Sequence, residues 1–244
     1  MPNFDPTPFP RGEAEDNGSS LPSPRPIGVW SIVDITSESG CREAIAECRS
    51  ASLIAIDTET YDWLPDGGRG PSPETVGRLG LLQLGIPAQK TALIVDIVEL
   101  ERQAIEWKPL VAPLLSDNFP PKIVHFAPFE RAVFERCGLE FGAGVIDTLA
   151  LVRSVWGDLQ REYPELKSKS LKSLAYHLLG KDISKAEQGS DWRARPLTPE
   201  QRDYAALDVE IAADLYRALV RFTGKAGIDP LTVDWRSPTS APKK

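Results

Sequence analysis

The sequence predicts an α/β fold, a mixed β-sheet flanked by α-helices, from three observations. Apolar runs of strand length crowd residues 53–98, separated by turn-rich segments. From residue 122 onward, short apolar strands alternate with helical patterns, and the chain beyond about 150 is helical. Strands first, then strand–helix alternation, build a sheet whose faces are covered by helices. With 244 residues, 41% of them hydrophobic, the chain can bury one substantial core, so a single domain of about 200 residues is expected.

The first strand expected is L-I-A-I-D-T, 53–58. An insertion follows, Y-D-W-L-P-D-G-G-R-G-P-S-P-E-T-V, rich in turn residues. R-L-G-L-L-Q-L-G-I and T-A-L-I-V-D-I-V read as two further strands, antiparallel neighbours of the first. A helix near 98–106 leads to a fourth strand, K-I-V-H-F-A. The helix after it has Pro128 in its first turn and Gly138 at its end. V-I-D-T-L-A-L is a short fifth strand running into a helix, where Asp147 suits an N-cap. Helices near 170–180 and 199–222 complete the set. The last begins with Thr198 as N-cap, Pro199 at its first position and Gln201 closing a capping box.

The ends differ from this middle. Residues 1–28 hold seven prolines among Gly, Ser and acidic residues, a composition that buries too little apolar area to offset ordering entropy, so disorder is expected. Residues 223–244 read as a loose tail in which Trp235 is the candidate to dock. The domain proper is 29–222. Net charge is −7, so a polyanion would need a local basic patch. Cys41, Cys48 and Cys137 form neither a metal-ligand nor a disulfide pattern, which suits a reducing compartment; Cys41 and Cys48 read as core residues. No apolar run is long enough to span a bilayer, and no signal peptide is visible, so a soluble intracellular protein, cytoplasmic or nuclear, is expected.

The chemistry starts at the end of the first strand. Asp57 and Glu59 are two apart, so their side chains share one face of the sheet, where two anions repel. In Y-A-A-L-D, Tyr204 and Asp208 are four apart and share a face of the last helix. Asp57, Glu59 and Asp208 are hard oxygen ligands suited to Mg²⁺ or Mn²⁺. Two divalent ions would relieve the repulsion, and paired ions are the usual device for in-line attack at a phosphodiester. Tyr204, one turn from Asp208, would position the attacking water.

D-T-E-T, then V-H-F-A-P-F-E, then Y-A-A-L-D resemble the three ordered motifs of the ribonuclease D-type 3′–5′ exonucleases, the DEDDy group. The stretch from Ser170 to Val209, which holds Lys185, Gln188 and Trp192, resembles that family over its whole length. The resemblance covers roughly residues 50–222 and implies a ribonuclease H-like fold, with Asp57, Glu59 and Asp208 as metal ligands and Tyr204 orienting water. The family's second motif usually ends in Asp; here Glu130 stands there, five residues after His125. It keeps the charge with one more methylene and is expected to serve the second metal through water, the competing outcome being a weakened or lost second site.

Other residues weigh less. His177 and Asp182 have the spacing of the sister DEDDh group, but Gly180 ends the helix between them, and His177 reads as structural. Gln83 reads as a sheet residue near the site. Residues 153–195 carry nine Lys and Arg against six acids, a mildly basic face for phosphate contacts. The expected partner is nucleic acid with a single-stranded 3′ end, RNA or DNA, trimmed to nucleoside 5′-monophosphates. The alternative is a catalytically degenerate domain that binds nucleic acid or protein.

Overall fold

The computed structural model describes residues 30–64, 72–184 and 186–236. The expected disordered segment 1–28, Lys185 and the tip of the turn-rich insertion lie outside the described residues.

Six strands form one sheet in the order β1-β4-β3-β2-β5-β6. They are β1 Ser31–Ile35, β2 Ile54–Tyr61, β3 Arg78–Ile86, β4 Thr91–Asp96, β5 Lys122–Val124 and β6 Val145–Asp147. Only β3 runs antiparallel to its neighbours. The expected strand at 53–58 is β2, at the middle of the sheet between β3 and β5. The expectation that β3 and β4 both flank β2 is corrected for β4, which pairs with β3 and runs parallel to β2. A four-residue turn, Pro87–Lys90, makes β3 and β4 a hairpin, and hairpin partners are neighbours. β1 escaped the sequence reading because it is a short edge strand without clean alternation; Val33 in it is 43% exposed.

Helices cover both faces. On one lie α1 Glu38–Ser50, α2 Ile97–Arg102, α3 Lys108–Ser116 and α4 Ala127–Arg136, packed on Ile54, Ile56, Leu82, Leu84, Val95 and Val124 of the sheet. Cys41 and Cys48 are buried in this layer, as their spacing on α1 implies. On the other face lie α5 Thr148–Ser154, α6 Trp156–Glu162, α7 Leu171–Leu174 and the long α8, Pro199–Lys225. α3 and α6 have no counterpart in the sequence reading.

α8 positions the site. Its start is built as expected: Thr198 accepts from Gln201 N, and the Gln201 side chain returns to the Thr198 backbone. Ala205, Ala206, Val209, Ala212 and Ala213 turn a small-residue face to the sheet. Gly85 of β3 completes the approach, since a Cβ there would lie 3.0 Å from Val209 Cβ. A larger residue at 85 would push α8 off the sheet, an overpacking cost of about 1–3 kcal/mol.

Trp235, the residue of the tail expected as the candidate to dock, is buried. α8 runs on to Lys225, and Trp235 is 4% exposed against the α1–α4 layer. Arg236 stacks over the Trp235 ring and donates to Gly142 O, so residues 223–236 belong to the packed domain. No helix of the described residues is long and apolar enough to cross a membrane.

Candidate active site

β2 delivers two carboxylates to one face. Ile56 and Thr58 point to the α1–α4 side, so Asp57 and Glu59 point, with Ala55, to the α8 side. A register shift after Glu59 marks a bulge that ends the regular ladder there. From above, α8 brings Asp208. One carboxylate oxygen from each of Asp57, Glu59 and Asp208 lies within 4.8 Å of the others. Tyr204, one turn earlier on α8, hydrogen-bonds Asp208. Three expected ligands and the expected tyrosine thus converge.

Glu130 arrives from the other face. It sits in the first turn of α4, is 1% exposed, and accepts from Thr58 Oγ1 at 2.7 Å through its Oε2. Thr58 lies between Asp57 and Glu59, so Glu130 meets β2 at the trio yet stands outside it.

The turn into α4 is unusual and held by Asp147. Phe126 has φ +78°, the left-handed region that a bulky residue seldom adopts. Asp147 accepts from Phe126 N and Ala127 N, both at 3.1 Å, while also capping α5 through Leu149 N and Ala150 N. The N-cap expected of Asp147 is there. Its second role at α4 left no signal in the sequence, because the two helix starts meet only in the folded sheet. His125 packs beside it, Nδ1 2.9 Å from Thr148 Oγ1, and burial followed by the Arg153 charge lowers its pKa to about 4, so it is neutral.

The electrostatics follow from burial and like charge. Burial, then Glu130, Asp208 and Glu59, raise Asp57 well above the usual carboxylate range. Burial, then Asp208 and Glu130, do the same to Glu59. Burial raises Asp208 to about 7 against the opposing Tyr204 hydrogen bond. Glu130 is raised to about 8 by burial, against the Thr58 hydrogen bond and with help from Asp208 and Asp147. Burial and the surrounding carboxylates raise the Tyr204 phenol, which stays protonated at neutral pH. Among the described residues no salt bridge involves Asp57, Glu59, Glu130 or Asp208. Clustered hard oxygens without a basic side chain match the demand of Mg²⁺ or Mn²⁺, so the donor set fits a divalent ion.

The loop before α8 backs the tyrosine. Trp192 is buried, its ring 6.1 Å from that of Tyr204. Gly80 of β3 admits it, for a Cβ there would sit 2.9 Å from Trp192 O. Arg195 pins the loop through a buried pair with Asp96, at 2.5 and 2.6 Å. This corrects the expected basic face: Arg195 and Lys181 are withdrawn into buried ion pairs, and Lys172 pairs with Asp182. Gln188 is exposed. Gly180 has φ +65° and ends the π-helical turn Ala175–Leu179, separating His177 from Asp182 as expected.

Comparison with known proteins agrees with this geometry. A family described as 3′–5′ exonuclease matches residues 32–222. The chain belongs to that family. Ribonuclease D of Cronobacter turicensis is 29% identical over 196 residues, covering 79% of this chain and 46% of the relative. The chain therefore spans less than half of that relative's length. The catalytic core of RRP6 from Trypanosoma brucei shares the fold, with TM-score 0.67 and 18% identity over 89% of this chain and 53% of the other. Ribonuclease D from Trypanosoma brucei, in a complex with the RNA U12, has TM-score 0.63 and 20% identity over 79% of this chain and 63% of the other. With these solved structures the chain shares the mixed sheet and flanking helices.

Proposed function

We propose that this exonuclease removes nucleotides from the single-stranded 3′ end of RNA or DNA and releases nucleoside 5′-monophosphates. One observation carries the reading: Asp57 and Glu59 from β2 and Asp208 from α8 converge to within 4.8 Å, and among the described residues none of them is in a salt bridge. Asp57, Glu59, Asp208 and Glu130 would hold two divalent ions, Mg²⁺ or Mn²⁺, and when bound these would supply an activated water and charge neutralisation at the leaving oxygen.

The chain's own residues arrange the rest. Tyr204 keeps its proton, so it orients water by hydrogen bonding and does not act as a base. Trp192 and the Arg195–Asp96 pair fix the loop that backs Tyr204. Glu130, tethered by Thr58, adds a fourth carboxylate from the α4 side. The similarity to ribonuclease D of Trypanosoma brucei, solved in a complex with RNA U12, supports a nucleic-acid substrate.

A second reading, a binding module without cleavage, draws on the position of Glu130 outside the trio. Incubation with 5′-labelled single-stranded RNA and DNA in Mg²⁺, Mn²⁺ or EDTA decides. A ladder shortening from the 3′ end and abolished by EDTA is expected; binding without shortening in any metal selects the second reading.

A further inference from the structure

Among the described residues, three buried side-chain polar atoms lack a hydrogen-bond partner: Oε1 and Nε2 of Gln83 and Nε1 of Trp192. Buried polar groups are normally paired, and an orphan calls for a physical explanation. Both residues lie in the layer between the sheet and α8, beside the carboxylate trio.

Gln83 is 0% exposed and stands directly opposite Asp57 in the β2–β3 ladder. Opposed residues of an antiparallel pair point to the same face with Cβ atoms about 4.5–5.5 Å apart. Its neighbours along β3 and across β4 offer nothing polar: Leu81, Gly85 and Ile94. Glu59 lies diagonally, opposite Leu81. Asp57 is therefore the polar residue directly opposite Gln83, yet neither Gln83 Oε1 nor Nε2 has a hydrogen-bond partner.

We propose that Gln83 is a positioning residue of the metal-bound site, its Nε2–H donating to the carboxylate of Asp57 once that carboxylate holds a cation, and so fixing Asp57 in one orientation. The inference rests on the metal-centre reading of the trio. A metal-bound carboxylate keeps a free lone pair, and a partner from outside the ligand set commonly fills it. Loss of such a partner typically lowers metal affinity by about 10–100-fold. The same amide is a buried group without a partner in this structure, and a cation that orients Asp57 would give it one.

Mn²⁺ titration calorimetry on the wild type, Gln83→Met, Gln83→Asn and Asp57→Ala, with metal-free melting temperatures, tests this. Gln83→Met fills similar volume without polar atoms. The expected result is an unchanged or raised metal-free melting temperature together with Mn²⁺ affinity weakened by about 10–100-fold. A packing role predicts the reverse, a lower melting temperature with unchanged affinity, and overturns the proposal. Should Gln83→Met not fold, Gln83→Asn decides by the same criterion, since its amide is one methylene short of Asp57. Unchanged Mn²⁺ binding in Gln83→Met while Asp57→Ala has lost it sinks the role of Gln83 alone. Wild-type binding in Asp57→Ala overturns the metal centre itself, and the proposal with it.

Discussion

Asp208 and Glu210 lie two residues apart on α8, on nearly opposite sides of the helix, and each enters a buried acidic group. Glu210 and Asp214 surround Lys181, whose Nζ is 2.5 Å from Glu210 Oε1 and 3.0 Å from Asp214 Oδ2. Burial pulls the Lys181 pKa down, but the two carboxylates overcome it and hold the ammonium charged. Asp208, Asp57 and Glu59 have no such partner among the described residues, and burial with mutual repulsion holds them towards neutrality. One helix therefore carries an acidic group paired with a cation of the chain and another for which the described residues supply none. The first ties the 180–183 segment to α8; the second is the one proposed to take a metal.

Substitution should move the two groups in opposite directions. Asp208→Asn removes charge from the incomplete group while keeping its shape. Cleavage should fall by more than the roughly 100-fold upper range for an outer-shell partner, while the metal-free melting temperature holds or rises because repulsion is relieved. Gel-based rates and calorimetric melting measure both. Retained cleavage with an unchanged Mn²⁺-induced melting shift would break the comparison.

Lys181→Met does the reverse, leaving Glu210 buried without its cation, while the partly exposed Asp214 keeps Arg217. Breaking a buried pair from one side costs about 3–5 kcal/mol. Urea denaturation should show that loss equally with and without Mn²⁺, because this group lies outside the metal site. Full rescue by Mn²⁺ would show that the two groups communicate.

These two groups also show which features are legible in a sequence. Asp57, Glu59, Tyr204 and Asp208 could be read because strand and helix periods fix which residues share a face, and motif order supplied the rest. The start of α8 was equally legible, since a capping box is local. The fate of Lys181 and Arg195 was not. Their charges count towards a basic stretch in the sequence, whereas the partners that bury them, Glu210 and Asp96, are distant along the chain. β1 was missed because an edge strand lacks the alternation that burial imposes, while Trp235 stood out as a large apolar ring in an otherwise polar tail. Glu130 is intermediate: its place at the start of α4 was foreseen, its tether to Thr58 from the opposite face was not.

The acidic groups also differ in their response to pH. Folding raises Asp208 from an ordinary 3.8 to about 7 and Glu130 from 4.5 to about 8. The folded, metal-free chain then binds more protons than the unfolded one between those limits. The stability these groups contribute is full below their unfolded values and is lost as pH rises through about 7 and 8. Each group contributes a slope of at most about 1.4 kcal/mol per pH unit. Metal-free melting temperatures should therefore decline from pH 5 to pH 8, and saturating Mn²⁺ should flatten the decline. A decline that Mn²⁺ leaves untouched would mean the titrating groups are not metal ligands.

The smallest expected effect concerns Thr58, and it decides on which side of the comparison Glu130 belongs. Thr58 Oγ1 donates to Glu130 Oε2 at 2.7 Å inside the protein. Thr58→Val keeps the volume and removes the donor. In the metal-free chain Glu130 is largely neutral at pH 7, so the lost bond is an ordinary one, worth about 0.5–1.5 kcal/mol. If Glu130 is a working member of the metal site, Mn²⁺ ionises it, and the same bond becomes charge-assisted, worth about 1.5–3 kcal/mol. Thr58→Val should then cost more in saturating Mn²⁺ than without it, shrinking the metal-induced gain in stability. Denaturant curves of both proteins with and without Mn²⁺ measure that difference directly. An equal loss in the two conditions would place Glu130 with Glu210, among the acids that the fold itself satisfies, and would leave the centre to Asp57, Glu59 and Asp208.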